Sequence, residues 1–257
     1  MGEARKTKLD MNQSVYTNRI ALTVALGGFL MGFDASVISG VNKFVQIQFN
    51  LSDLQLGFSV SSLTIVAALA MMFSGPLSDK YGRKLVLKYC ALIFTVSAIG
   101  SALATGFTSF LIFRMLGGLG VGASLIVAPM YIAEIAPASK RGRLVSFNQL
   151  NIVLGITIAF FTNYYILSLA DHTSSWVSNY GIAEHNWRWM LGIEALPAIV
   201  YFFALFSVPK SPRWLMSKGN ENKATAVLQR FISVEETAEE IKAIKAALNN
   251  VNSSRKT

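Results

Sequence analysis

Four residues that normally sit in water stand inside or at the end of stretches that exclude it: Asp34, Arg114, Glu134 and Glu194. The apolar runs around them are about twenty residues long, the length that crosses a bilayer. An ionised group at mid-helix there costs about 2.5–3.5 kcal/mol on insertion scales, so it should face a cavity or an opposite charge. Asp34 lies late in the first run and Arg114 early in the fourth. Consecutive runs alternate in direction, so both charges fall in the same half of the membrane and can meet. A carboxylate that alternates between an arginine and a proton can couple proton movement to a change of shape. The cation favours the ionised form, and separation favours the neutral one. A static ion pair that only fixes helix packing is the plainer reading of the same residues.

Other chemistries find less support. Gly117, Gly118, Gly120 and Gly122 superficially suggest a phosphate loop, but no strand precedes them and their flanks suit lipid. Gly28 and Gly32, like Gly118 and Gly122, have the GxxxG spacing that lets two membrane helices approach closely. His172 and His185 have no clustered ligands and read as surface residues, so no metal is expected. The lone Cys90 allows neither an intrachain disulfide nor a cysteine metal cluster. The sequence shows no nucleophile–base constellation, so the chain is expected not to be an enzyme.

The elements that must position these residues follow from composition. Of 257 residues, 53% are hydrophobic and only 14% charged, against about 25% charged in a soluble domain. Six spans are read at residues 20–41, 56–73, 85–103, 110–131, 147–169 and 190–208. The first is too long for a cleavable signal and five others follow it. The runs do not alternate as β-barrel strands do. The fold class is therefore an all-α membrane protein built on a six-transmembrane-helix bundle.

Of 23 lysines and arginines, twenty fall in the amino-terminal tail, the second and fourth connections and the segment after the sixth span. All of these lie on one side, while Lys43 and Arg188 fall on the other. The positive-inside rule puts that side, with both termini, in the cytoplasm. The net charge of +9 is thus a topology signal, and no nucleic-acid partner is expected. Tyr164, Tyr165, Trp176, Trp187 and Trp189 cluster at the outer ends of spans 5 and 6, where amphipathic rings favour the interface.

After residue 208 the pattern changes. Ala224, Val227, Leu228 and Phe231 follow helical spacing, as do Ile241, Ile244 and Leu248, and Ser233 with Glu236 reads as a capping box. The organisation expected is a tail over 1–19, the six-span bundle over 20–208, short cytoplasmic amphipathic helices over 209–250 and a disordered end over 251–257.

Several motifs, in order and at fitting topological places, carry a resemblance. Gly75-Pro76-Leu77-Ser78-Asp79-Lys80-Tyr81-Gly82-Arg83-Lys84 resembles the signature between spans 2 and 3 of the major facilitator superfamily. Gly75 would permit tight packing there. Gly32-Phe33-Asp34, Arg114-Met115-Leu116-Gly117-Gly118 and Pro129-Met130-Tyr131-Ile132-Ala133-Glu134 leading to Arg141-Gly142 narrow it to the sugar porter family. Ser146-Phe147-Asn148-Gln149, Trp187-Arg188 and Pro209-Lys210-Ser211-Pro212-Arg213-Trp214 complete the set. Within that family the chain is most similar to the amino-terminal half of bacterial xylose–proton symporters.

The resemblance implies one half of a twelve-span fold, made of 3+3 inverted repeats, with transport by rocking against a second half. It implies proton coupling at Asp34 with Arg114 and Glu194, and sugar binding at Gln149 with Ile152 and Ile156 lining the same cavity. Animal glucose facilitators have asparagine in place of Asp34. Isoleucine at Ile156, where the xylose symporters have glutamine, leaves hexoses and polyols open as substrates. Asp79, Arg83, Glu134, Arg141 and Arg213 correspond to a cytoplasmic charge network that closes the inner gate. Lys210 stands where the family has glutamate, which would weaken that gate unless another anion compensates.

The implied partners are a monosaccharide or polyol, the bilayer and a six-span carboxyl-terminal half from the same gene, a partner chain or a second copy. No cofactor is implied beyond the proton as coupling ion, and the location implied is the cell (inner) membrane, multi-pass. A lone half is expected to leave its cavity face, Asp34 and Gln149 included, against lipid. The leading expectation is sugar–proton symport by alternating access. An uncoupled sugar or polyol facilitator and a non-transporting membrane sugar sensor or interaction subunit remain as alternatives.

Overall fold

The computed structural model describes the backbone of residues 2–171 and 175–254 and the side chains of residues 11–171 and 177–249. The helices are α1 (Gly2–Gln48), α2 (Asp53–Tyr81), α3 (Arg83–Ala102), α4 (Phe107–Ile135), α5 (Arg141–Ala170), α6 (Ser175–Asn179), α7 (Asn186–Gly192), α8 (Ala195–Ser207), α9 (Pro212–Ser217), α10 (Glu221–Leu228) and α11 (Val234–Ser254). Helices α1 to α5 and the α7–α8 pair supply six elements long and apolar enough to cross a membrane. An even number of crossings leaves both ends of the chain on one side, called here the terminus side.

The helices overrun several of the expected span limits, and three departures bear on the argument. Helix α1 is continuous from Gly2, so residues expected to form a tail extend the first span. Helix α11 runs to Ser254, into the stretch expected to be disordered from residue 251. The sixth span is not one straight helix but breaks at Ile193 and Glu194. Pro197 explains the break: it has no N–H for the Ile193 carbonyl, and its ring crowds that carbonyl. The Leu196 amide takes the Ile193 carbonyl instead, at 3.1 Å in a tighter turn.

Local signals account for other boundaries. Ser52 opens α2 with a capping box, accepting from the Gln55 amide at 3.3 Å while Gln55 Oε1 accepts from the Ser52 amide at 2.9 Å. Gly82 joins α2 to α3 in a single residue at φ +95°, a conformation open to glycine, and the Trp214 ring lies where a side chain would go.

Packing reveals an internal repeat. Helix α1 packs chiefly on α5, and α4 packs on α2 and α3. Exchanging the first three spans with the last three maps the α1–α5 contact onto α4–α2. The glycines obey the same exchange. Gly28 and Gly32 of α1 meet Asn148 and Ile152 of α5, and Gly118 and Gly122 of α4 meet Leu63 and Ala67 of α2. Both GxxxG pairs are therefore helix-packing stripes, as their spacing suggests. Gly75 departs from expectation: nothing lies within 4 Å of the place where its side chain would be.

One apolar core fills the terminus side, and a second fills the far side around Phe110, Trp187 and Met190. Trp187 is buried edge-on against Phe49 and Phe110 and does not join the interfacial belt expected of it. Tyr164, Tyr165 and Trp189 are exposed. Helices α2 and α5 leave most of their apolar surface uncovered, with 22% of each span buried against 67% for α1.

The amphipathic segment on the terminus side is helical as its spacing indicates. Ala224, Leu228, Phe231, Ile241 and Ile244 are buried against the bundle. The Ser233–Glu236 capping box forms, with amide-to-side-chain contacts of 3.1 and 3.2 Å. Gln13 of α1 donates to the Gln229 and Ile232 carbonyls at 3.0 and 2.8 Å, and Tyr16 packs on Phe231.

Candidate functional site

The rotation of α1 determines where Asp34 points. Gly32 faces α5, and a residue two positions on is turned about 200° around the helix, toward α4. Arg114 of α4 meets it there, donating from Nη1 to Asp34 Oδ1. The break in the sixth span brings Glu194 beside both. Asp34, Arg114 and Glu194 are only 3%, 3% and 2% exposed. Asp34 therefore does not lie on an open face, as expected for a lone half, but inside the bundle. Among the described residues, Glu194 Oε1 and Arg114 Nε have no hydrogen-bond partner. Two carboxyls and one guanidinium form a buried set whose charge balances only when one carboxyl holds a proton. Uncompensated buried charge costs several kcal/mol, on the order of 3–5 when a buried pair is broken.

Gln149, Ile152 and Ile156 are spaced three and four apart and share a face of α5. Gln149 is exposed, Ile152 and Ile156 are half-buried, and Ile152 lies against Gly28 and Gly32 of α1. Exposed on that face, the Gln149 amide can both donate and accept. The structure does not join Gln149 to the Asp34 cluster. Three buried asparagines on α5 were missed. Asn163 donates to the Val37 carbonyl at 3.1 Å, Asn151 to the Phe147 carbonyl at 2.9 Å, and Asn148 abuts Gly28. Amides inside an apolar run are a legible signal of this.

On the terminus side, Arg83 joins two carboxylates, Asp79 at 2.7 Å and Glu134 at 2.9 Å. Glu134 also accepts from Ser211 Oγ, which in turn caps α9 by accepting from the Trp214 amide at 3.2 Å. Arg141 finds Glu240 of α11 at 3.8 Å. Arg213 makes no ion pair among the described residues, but it lines one cavity with Glu134, Arg141 and Glu240. Ser211 and Glu240 were not anticipated. Ser followed by Pro is a helix-start signal, whereas Glu240 lies 99 positions from Arg141 and no spacing rule links them. Lys210 sits over the Trp214 ring at 5.1 Å, outside the carboxylate network. Glu240 supplies an anion that the motifs alone do not. His185 is exposed at the start of α7, and His172 and the Trp176 side chain lie outside the described residues.

These features define a class: an integral multi-pass membrane protein whose six-helix bundle has the architecture of one half of a major facilitator fold. The family described as "Sugar (and other) transporter" matches residues 20–257. The chain belongs to the sugar porter family of the major facilitator superfamily.

It is 43% identical over 209 residues to the glucose transport protein of Synechocystis sp., covering 81% of this chain and 44% of that one. It is 37% identical over 263 residues to the D-xylose-proton symporter of Escherichia coli K12, covering 92% and 52%. Among solved structures, the proton:xylose symporter XylE bound to 6-bromo-6-deoxy-D-glucose superimposes with a TM-score of 0.84 at 35% identity, covering 93% of this chain and 54% of that one. The partially occluded inward-open XylE from E. coli gives 0.83 at 34%, covering 91% and 60%. The chain thus spans about half the length of the curated relatives it matches.

Proposed function

We propose that this chain is the amino-terminal half of a sugar–proton symporter that works by alternating access. The observation that carries the reading is the buried Asp34–Arg114 pair with Glu194 alongside. Asp34 is the proton site, Arg114 its counter-ion, and Glu194 the group that keeps the cluster in charge balance as the proton moves. Protonation of Asp34 releases Arg114, sugar binds on the α5 face at Gln149, and the bundle rocks against a second six-span half. The terminus side is the cytoplasm. There Asp79, Arg83, Glu134, Arg141 and Arg213 hold the inner gate, and the proton, not a bound cofactor, is the coupling ion.

The substrate is a monosaccharide or polyol. Similarity to both a glucose and a xylose transport protein supports the class, and isoleucine at Ile156 leaves hexoses and polyols open against xylose.

Vesicles from cells expressing the complete reading frame test the coupling. Sugar addition should alkalinise the medium, and Asp34→Asn should abolish accumulation against a gradient while sparing exchange. Uptake without proton movement would replace the symporter with a facilitator. Sugar binding without flux would favour a sensor.

A further inference from the structure

Where α2 turns into α3, a cavity of about 260 Å³ is lined by Arg83, Lys84, Lys88 and Lys210, with Tyr81 and Trp214 as walls. Arg83 is compensated by Asp79 and Glu134. The three lysines have no ion-pair partner among the described residues. Lys84 donates to the Phe206 carbonyl at 3.0 Å, Lys88 sits over the Phe206 ring at 3.2 Å and Lys210 over Trp214. Rings and a carbonyl hold the three ammonium groups around one opening and leave their charge uncancelled.

A second cavity, about 760 Å³ and almost wholly apolar, begins at the same place. Tyr81 and Leu85 line both. It follows the seam where α2 leans on α4 and away from α3, between Leu69, Phe73 and Leu77 on one wall and Tyr89 and Ile93 on the other. From Tyr81 to Leu69 the helix rises about 18 Å, comparable with the ~15 Å of half a bilayer's hydrocarbon core.

We propose that these cavities form one binding site for an anionic phospholipid of the terminus-side leaflet. The phosphate headgroup sits among Lys84, Lys88 and Lys210, and an acyl chain lies in the α2–α3 groove. Continuity with the groove selects a lipid over a free phosphate, because a soluble anion leaves the apolar part unfilled. Charge selects an anionic lipid over a zwitterionic one, since each lysine near an anionic headgroup is worth about fivefold in occupancy.

The test uses the purified complete protein in phosphatidylcholine mixed micelles, titrated with chain-brominated phosphatidylglycerol or phosphatidylcholine. The signal read is Trp214 quenching, taken as the difference from Trp214→Phe. Half-quenching should need about fivefold less phosphatidylglycerol than phosphatidylcholine, or better. The Lys88→Gln/Lys210→Gln protein should lose the preference and Lys88→Arg/Lys210→Arg should keep it, which separates charge from fold. Excess glycerol phosphate in solution should leave the quenching unchanged. Equal quenching by the two lipids, a preference that survives the glutamine pair, or displacement by glycerol phosphate overturns the proposal. The last of these would leave a free-phosphate site.

Discussion

A buried cluster of one guanidinium and two carboxyls cannot be dissected one group at a time. Removing Asp34 alone leaves Arg114 with Glu194 as counter-ion, and removing Glu194 alone leaves the Arg114–Asp34 pair intact. Removing both strands a cation that is 3% exposed. The expectation is a strongly non-additive cycle. Thermal unfolding of the solubilised protein should show Asp34→Asn and Glu194→Gln each mildly destabilising or neutral. The double variant should exceed their sum by about 2 kcal/mol. Additive losses would mean that Glu194 does not act on the pair. The pair itself was legible from two opposite charges placed in apolar runs at matching depth. The burial of Asp34 is not legible in the sequence, because it depends on which helices flank α1 on either side. Counting spans suggested an open face, whereas rotating α1 by two residues from Gly32 turns Asp34 inward. Glu194 reaches the pair through a backbone break, and the straight reading of the sixth span passed over Pro197.

At the level of helices, one device appears twice. Gly32 and Gly122 each bring a backbone against that of a facing helix, at Ile152 and Ala67 respectively, with no room for a side chain. Leucine at either position must push two helices apart, and overpacking of this kind costs about 1–3 kcal/mol. Gly32→Leu and Gly122→Leu should therefore lower the melting temperature of the solubilised protein by several degrees. Gly142→Leu, at a position with nothing within 4 Å, should leave it unchanged. A Gly32→Leu protein that melts like the parent would remove the close α1–α5 approach from this account, and with it the reason Asp34 faces α4. Spacing alone made these stripes readable, since GxxxG is local. Their partners were not, because which helix a stripe meets depends on the whole bundle. The same limit applies on the terminus side. The Ser233–Glu236 box was visible as a four-residue pattern, while the Arg141–Glu240 contact joins two helices far apart in sequence.

Over the whole molecule, burial is distributed unevenly in a way that points outward. Helices α1, α3 and α4 are well covered, while α2 and α5 bury 22% of their spans and expose Phe58, Leu69, Phe73, Leu150, Leu154 and Phe161. Lipid can cover such side chains without penalty, so exposure by itself does not demand a partner. Gln149 does. Its amide projects from the uncovered side of α5, and a polar group left unsatisfied against hydrocarbon costs several kcal/mol, roughly 2–7 by transfer scales. A second six-span half would close over it and create the aqueous cavity in which an amide can hold a sugar hydroxyl. Liposomes containing only these 257 residues should then show no net sugar uptake, and adding a matching second half should restore it. In that restored transporter, Gln149→Ala should raise the half-saturating sugar concentration about three- to tenfold, the loss of one or so neutral hydrogen bonds. Full uptake by the six-span chain, with cross-linking that shows two copies face to face, would instead make the missing half a second copy of this chain, and Gln149 would then contribute to the site twice.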